Sequence, residues 1–180
     1  MSFLLLVKIL LPLWVLFSAF ASLMPGRLRW RFIGRIAHPL YYCIGVVVCM
    51  LVLRWPGVVY NGWLDADEST TIAQAVRSLY QPVPWVGVDT STSGPLNAYF
   101  LAAVAGFQRP ITLLDARLAG LICWVVAWVF TYLSARFFFG EWSARLGLGI
   151  VGCFVSFTTA VAFVHFSTEQ LSMALLVVGV

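Results

Sequence analysis

Charge is what this chain of 180 residues has least of: Asp, Glu, Lys and Arg together make up 10%, against roughly a quarter in a soluble domain. An ordinary water-facing surface is therefore excluded. Eleven basic residues against seven acids leave a net charge of +4, but the arginines are scattered among apolar stretches and form no basic run, which excludes nucleic acid as a partner. The four cysteines, Cys43, Cys49, Cys123 and Cys153, all lie within apolar stretches, with no Cys-x-x-Cys or Cys/His ligand spacing. Neither a disulfide framework nor a zinc site is supported, and the cysteines read as small apolar packing residues. Internal repeats, low-complexity tracts and interdomain linkers are missing as well.

What the chain does have is hydrophobic residues, at 62%, with 16% aromatics and a mean hydropathy of +0.95. This composition predicts an all-α, polytopic membrane protein, a single transmembrane domain over 1–180, with Trp and Tyr anchoring at the interfaces. A bilayer takes about 20 apolar residues per helix. Spans are expected at 3–24, 38–55, 112–138 and 143–164, and a fifth starts near Thr168 and meets the chain end at Val180. The apolar run from Ile9 to Met24 is longer than the roughly 7–15 residues of a signal-peptide core, so the first helix is expected to be retained. Ending inside an apolar helix, the chain reads as the front part of a larger membrane protein.

Four arginines and no acid stand between Gly26 and Arg35, and the turn from Arg136 to Arg145 holds two arginines and Glu141. Both are expected to be cytoplasmic by the positive-inside rule. Asp65, Asp67, Glu68, Asp89, Asp115 and Glu169, six of the seven acids, then fall on the opposite side. The long loop from Pro56 to about Pro110 becomes extracytoplasmic, either periplasmic in a Gram-negative bacterium or lumenal in a eukaryote. Within it, Asp67 to Tyr80 has helical periodicity. Ile72, Val76 and Leu79–Tyr80 share one face, opposite Gln74, Arg77 and Ser78, as in an amphipathic helix lying on a membrane surface. Asn97 to Phe107 is apolar but only one short helix long, which places it at the interface.

The acidic pair Asp67–Glu68 opens that amphipathic helix, and a particular order of segments surrounds it. Leu64-Asp65-Ala66-Asp67-Glu68 is followed by Ser93-Gly94-Pro95-Leu96-Asn97-Ala98-Tyr99-Phe100-Leu101, then Asp115-Ala116-Arg117-Leu118, Ala135-Arg136-Phe137-Phe138-Phe139-Gly140 and Ser167-Thr168-Glu169. Over 38–180 this order resembles the GT-C superfamily of polytopic glycosyltransferases, especially its protein mannosyltransferase and lipid A aminoarabinose transferase branch. The first helix and the basic connection, 1–37, lie outside the resemblance. It implies a transferase of hexosyl or pentosyl groups in a bacterial inner or plasma membrane, inactive if the rest of the cavity is missing. The implied donor is a polyprenyl-phosphate-linked sugar, and the implied acceptor is an extracytoplasmic glycolipid, polysaccharide or protein. Where the branch often carries a Lys before its Pro-Pro-Leu segment, this chain has Ser93-Gly94-Pro95-Leu96, so another group must meet the phosphate.

Such a reaction needs a base near the acceptor hydroxyl and a partner for the departing phosphate, either an arginine fork or a divalent cation such as Mg or Mn. Asp67 is the candidate base, and Glu68 would orient it or bind a metal. Asp65 and Glu68 also have the spacing of a helix capping box. Arg117 would face the phosphate, snorkel to head groups or pair with Asp115. Ser93 and Asn97 are further substrate-binding candidates by the resemblance, as is Glu169. His165 stands one helical turn before Glu169 and could share its face, and Asp67 and Glu169 are the residues to hold a metal, if any. Arg54 and Arg77 read as interfacial anchors, and Trp63 and Trp85 as cavity-lining or interfacial. Because the spans show almost no interior charge, the competing expectation, a transporter or non-catalytic assembly subunit with ionisable groups along a path, is less well matched.

Overall fold

The structure, a computed structural model, describes residues 3–24, 38–60, 65–86, 94–107, 110–158 and 165–179. Among them there are seven helices: α1 (Phe3–Leu23), α2 (Pro39–Tyr60), α3 (Ala66–Ser78), α4 (Gly94–Val104), α5 (Leu113–Phe139), α6 (Glu141–Phe157) and α7 (Thr168–Val178). The expected all-α class holds for these residues. Phe3–Leu23, Pro39–Val59 and Leu113–Phe139 are long and apolar enough to cross a bilayer, as in an integral membrane protein. Large apolar side chains such as Phe3, Leu16, Phe20, Ile44 and Ile150 stand exposed along the helices. In water each would forfeit about 1.5–3 kcal/mol of burial, and lipid removes that penalty.

Two expectations shift. The segment thought to end at Trp55 continues as helix through Pro56 to Tyr60, because a proline removes one amide donor but the flanking turns keep theirs. The span expected over 143–164 is described as a helix from Glu141 to Phe157, and 159–164 lie outside the described residues. The two short helices expected between the spans are present as α3 and α4.

The chain divides into two compact units, one of Met1–Pro56 with Val125–Thr158, the other of Gly57–Trp124 with Thr159–Gly179. In the first, α1 packs on α6. Gly149 permits this: a Cβ there would collide with Val15 of α1 and crowd the Tyr42 hydroxyl. The core holds Leu11, Val15, Tyr42, Val46, Met50, Trp128 and Tyr132. The Trp128 and Tyr132 rings stack at 5.8 Å with a 3° tilt, and Tyr42 lies 5.1 Å from Tyr132.

Arginine enters this core, which corrects the expectation of spans without interior charge. Arg145 is fully buried. Its Nε donates to Glu141 Oε1 at 2.6 Å and its Nη1 to the Ser18 carbonyl at 2.8 Å. Glu141 also accepts from the Tyr132 hydroxyl at 2.6 Å and pairs with Arg136 at 2.5 Å. Both arginines of the α5–α6 turn therefore grip one acid. Arg54, expected as an interfacial anchor, is instead buried, and its Nη1 donates at 2.6 Å to the Val155 carbonyl. That carbonyl belongs to the last turn of α6, where carbonyls lack a helical donor.

Candidate functional site

The second unit contains every described residue of the candidate site. α3 packs on α4, and its buried residues are Glu68, Thr71, Gln74, Ala75 and Ser78, three or four apart as on one helical face. Ile72 and Val76, on the face expected to lie on the membrane surface, are half-buried, and Arg77 is exposed; the finding beyond that expectation is that the polar residues Gln74 and Ser78 are buried. A polar stripe can be buried because its hydroxyls return to their own helix. Thr71 Oγ1 donates to the Asp67 carbonyl at 2.9 Å and Ser78 Oγ to the Ala75 carbonyl at 2.7 Å, a local satisfaction that Ser and Thr make readily.

The acids that open α3 part company. Asp67 is exposed, whereas Glu68, one residue on, is fully buried. Glu68 Oε1 lies 3.6 Å from Arg117 Nε and Oε2 lies 3.8 Å from His165 Nδ1. The Phe166 backbone N–H is near enough to favour the charged carboxylate without forming a hydrogen bond to it. Burial pushes the Glu68 carboxyl above the usual carboxylate range, and Arg117 and the Phe166 N–H offset only part of that rise. Burial also holds His165 below the ordinary imidazole range, and Arg117 adds to this, since both disfavour a second charge in a low dielectric.

The expected capping box of Asp65 and Glu68 does not form. Asp65 occupies the N-cap position with extended backbone, but its side chain makes no cap hydrogen bond, and Glu68 is turned inward. A reciprocal box stands instead at the start of α5. Asp115 Oδ2 accepts from Thr112 N and from Thr112 Oγ1, both at 2.7 Å, and Thr112 Oγ1 lies 3.4 Å from Asp115 N. Asp115 is thereby committed to Thr112, not to Arg117. Arg117, 2% exposed, points at Glu68 and donates from Nη1 to the Val58 carbonyl at 3.4 Å. Its guanidinium is thus closed off from head groups and solvent.

The other expected site residues are placed separately. Asn97 is buried on α4. Ser93, like Trp63, lies outside the described residues, whereas Trp85 is exposed, with a left-handed φ of 61°. Glu169 is exposed in the first turn of α7, while His165 is buried ahead of the Ser167 N-cap. The two do not share a face, because helical geometry begins only after His165. Among the described residues no three His, Cys, Asp or Glu side chains form a group that could hold a metal, so no step is assigned to Mg or Mn.

Sequence reasoning passed over Phe166 and Gln170. Gln170 Nε2 donates to the His165 carbonyl at 2.7 Å, and the Phe166 ring lies 6.1 Å from Phe100 of α4. Gly120 of α5 makes room for Gln170, since a Cβ there would stand 2.8 Å from its Oε1. No protein-family model, curated protein or solved structure matches this chain. What the site can do rests on its own geometry: one carboxylate is held inside by an arginine and a histidine, and its neighbour is presented outward.

Proposed function

We propose that this chain, alone or as part of a longer enzyme, is a membrane-embedded glycosyltransferase of the GT-C kind. It moves a sugar from a polyprenyl-phosphate-linked donor to a hydroxyl of an extracytoplasmic glycolipid, polysaccharide or protein. The observation that supports this reading is the division of labour in the first turn of α3, with Asp67 exposed and Glu68 locked inside by Arg117 and His165. A fixed helical turn gives an exposed base the defined direction that proton transfer requires.

In the proposed reaction the acceptor oxygen bonds to the anomeric carbon and its proton passes to Asp67. The bond from that carbon to the phosphate oxygen breaks, and its electron pair leaves on the polyprenyl phosphate. Glu68 orients the turn. Arg117, expected to face the phosphate, serves Glu68 in this arrangement.

In membranes carrying the chain, supplied with a labelled polyprenyl-phosphate sugar, Asp67→Asn should lower transfer by about 100-fold or more and leave membrane insertion intact. Wild-type turnover by Asp67→Asn would remove Asp67 as the base. Absence of transfer by the inserted wild-type chain would instead favour the non-catalytic alternative, a transporter or assembly subunit. Sidedness has its own test: a maleimide that cannot cross the membrane should label a cysteine placed at Ser91 but not one placed at Arg31. The opposite pattern inverts the topology and with it the extracytoplasmic acceptor.

A further inference from the structure

Glu68 is contacted from two sides by segments distant in sequence, and the second side is unusual. Arg117 reaches it from α5. The two residues ahead of α7, His165 and Phe166, bring an imidazole and a backbone N–H to the same carboxylate. His165 is 2% exposed and Glu68 0%, yet neither carboxylate oxygen and neither ring nitrogen has a partner at hydrogen-bond length. Buried polar atoms left in that state cost about 1–3 kcal/mol each, so an apolar side chain would serve mere packing better. A cation between the two is disfavoured by the Arg117 guanidinium, 3.6 Å from the same carboxylate.

The backbone under His165 is held in place. Gln170 clasps its carbonyl, and Phe166 is seated against Phe100. The imidazole thus stands on a fixed platform, 3.8 Å from Glu68 Oε2, and a movement of about 1 Å closes that gap to a hydrogen bond. Burial, with Arg117 adding to it, disfavours the charged ring against the opposing pull of Asp65, and in the neutral imidazole the tautomer that serves Glu68 carries its N–H on Nδ1.

We propose that His165 is a positioning residue: through Nδ1–H it holds Glu68 inward and so sets the direction in which Asp67 presents its carboxylate. Neighbouring residues of a helix stand about 100° apart, so fixing one side chain's azimuth fixes the other's. The assignment rests on the proposed role of Asp67 as base.

Three replacements separate positioning from packing. Asparagine places an amide N–H where Nδ1 stood, glutamine moves it outward to the Nε2 position, and leucine removes it while filling the space. The first measurement needs no reaction: the labelling rate of an Asp67→Cys chain by an impermeant maleimide, resolved by peptide mass spectrometry. His165→Asn should leave that rate near its starting value, whereas His165→Leu and His165→Gln should change it. The second is steady-state transfer with Asp67 in place. There His165→Leu should lower kcat by about 10–100-fold with KM little changed, the scale expected of a 1 Å misplacement, and His165→Asn should restore most of it. If leucine matches or exceeds asparagine in both measurements, His165 only packs and the proposal is overturned. Labelling that responds to His165 in a chain without transfer would overturn the glycosyltransferase reading but keep the positioning of the Asp67 turn. Transfer with unresponsive labelling does the reverse.

Discussion

Alanine at Arg145 should destabilise the folded chain by about 3–5 kcal/mol, the scale for removing one partner of a buried ion pair. The guanidinium has no exposed surface, and it meets Glu141 through Nε and Nη2, each at 2.6 Å. It also reaches the Ser18 carbonyl of α1 and stands 5.2 Å over the Tyr42 ring. Its own carbonyl accepts from the Tyr42 hydroxyl at 2.8 Å. Alanine therefore opens a cavity, strips a donor from α1 and leaves Glu141 to Arg136, whose side chain is 44% exposed and whose help is screened by water. Lysine should recover only part of the loss, because a single ammonium cannot serve Glu141 and Ser18 with the geometry of a fork. The measurement is the unfolding midpoint in detergent, followed by tryptophan fluorescence. A wild-type midpoint for Arg145→Ala would show that the cluster contributes little.

The second large effect concerns Glu68 and Arg117, and its sign depends on whether one residue or both are changed. Arg117→Met removes the nearest cation from a fully buried carboxylate and should again cost about 3–5 kcal/mol. Adding Glu68→Leu removes the stranded charge, so the double variant should return to within about 1–2 kcal/mol of the parent, as buried pairs replaced by apolar side chains commonly do. Under the proposed function, that stable double variant should still fail to transfer sugar, because nothing then directs the Asp67 turn. If its stability equals the sum of the two single losses, the residues act independently and the pair is not an energetic unit.

Long apolar runs made α1, α2 and α5 legible in the sequence, since nothing but a membrane helix accommodates them. The existence of α3 was legible too, from its 3.6-residue period, but its orientation was not. Periodicity sets Ile72 and Val76 on a membrane-facing side and leaves the polar side to solvent, yet the structure buries Glu68, Gln74 and Ser78; the groups beside Glu68 come from α5 and from the segment before α7. The buried arginines escaped for a related reason. Arg54, Arg117 and Arg145 each meet a backbone carbonyl, of Val155, Val58 and Ser18 respectively, and a carbonyl has no signature in a sequence. The acidic pair was visible as a pair. Its division into an outward and an inward acid required knowing what stood behind Glu68.

The arrangement around Glu68 also sets an order of events during synthesis. Asp67 and Glu68 leave the ribosome before Arg117, and Arg117 before His165, Phe166 and Gln170. Until that last segment arrives, the first turn of α3 has one cation beside its buried acid and nothing closing the other side. The first turn of α3 can therefore acquire its full set of contacts only after the segment ahead of α7 has been made, so Asp67 enters the membrane before the groups that surround its neighbour Glu68 are complete.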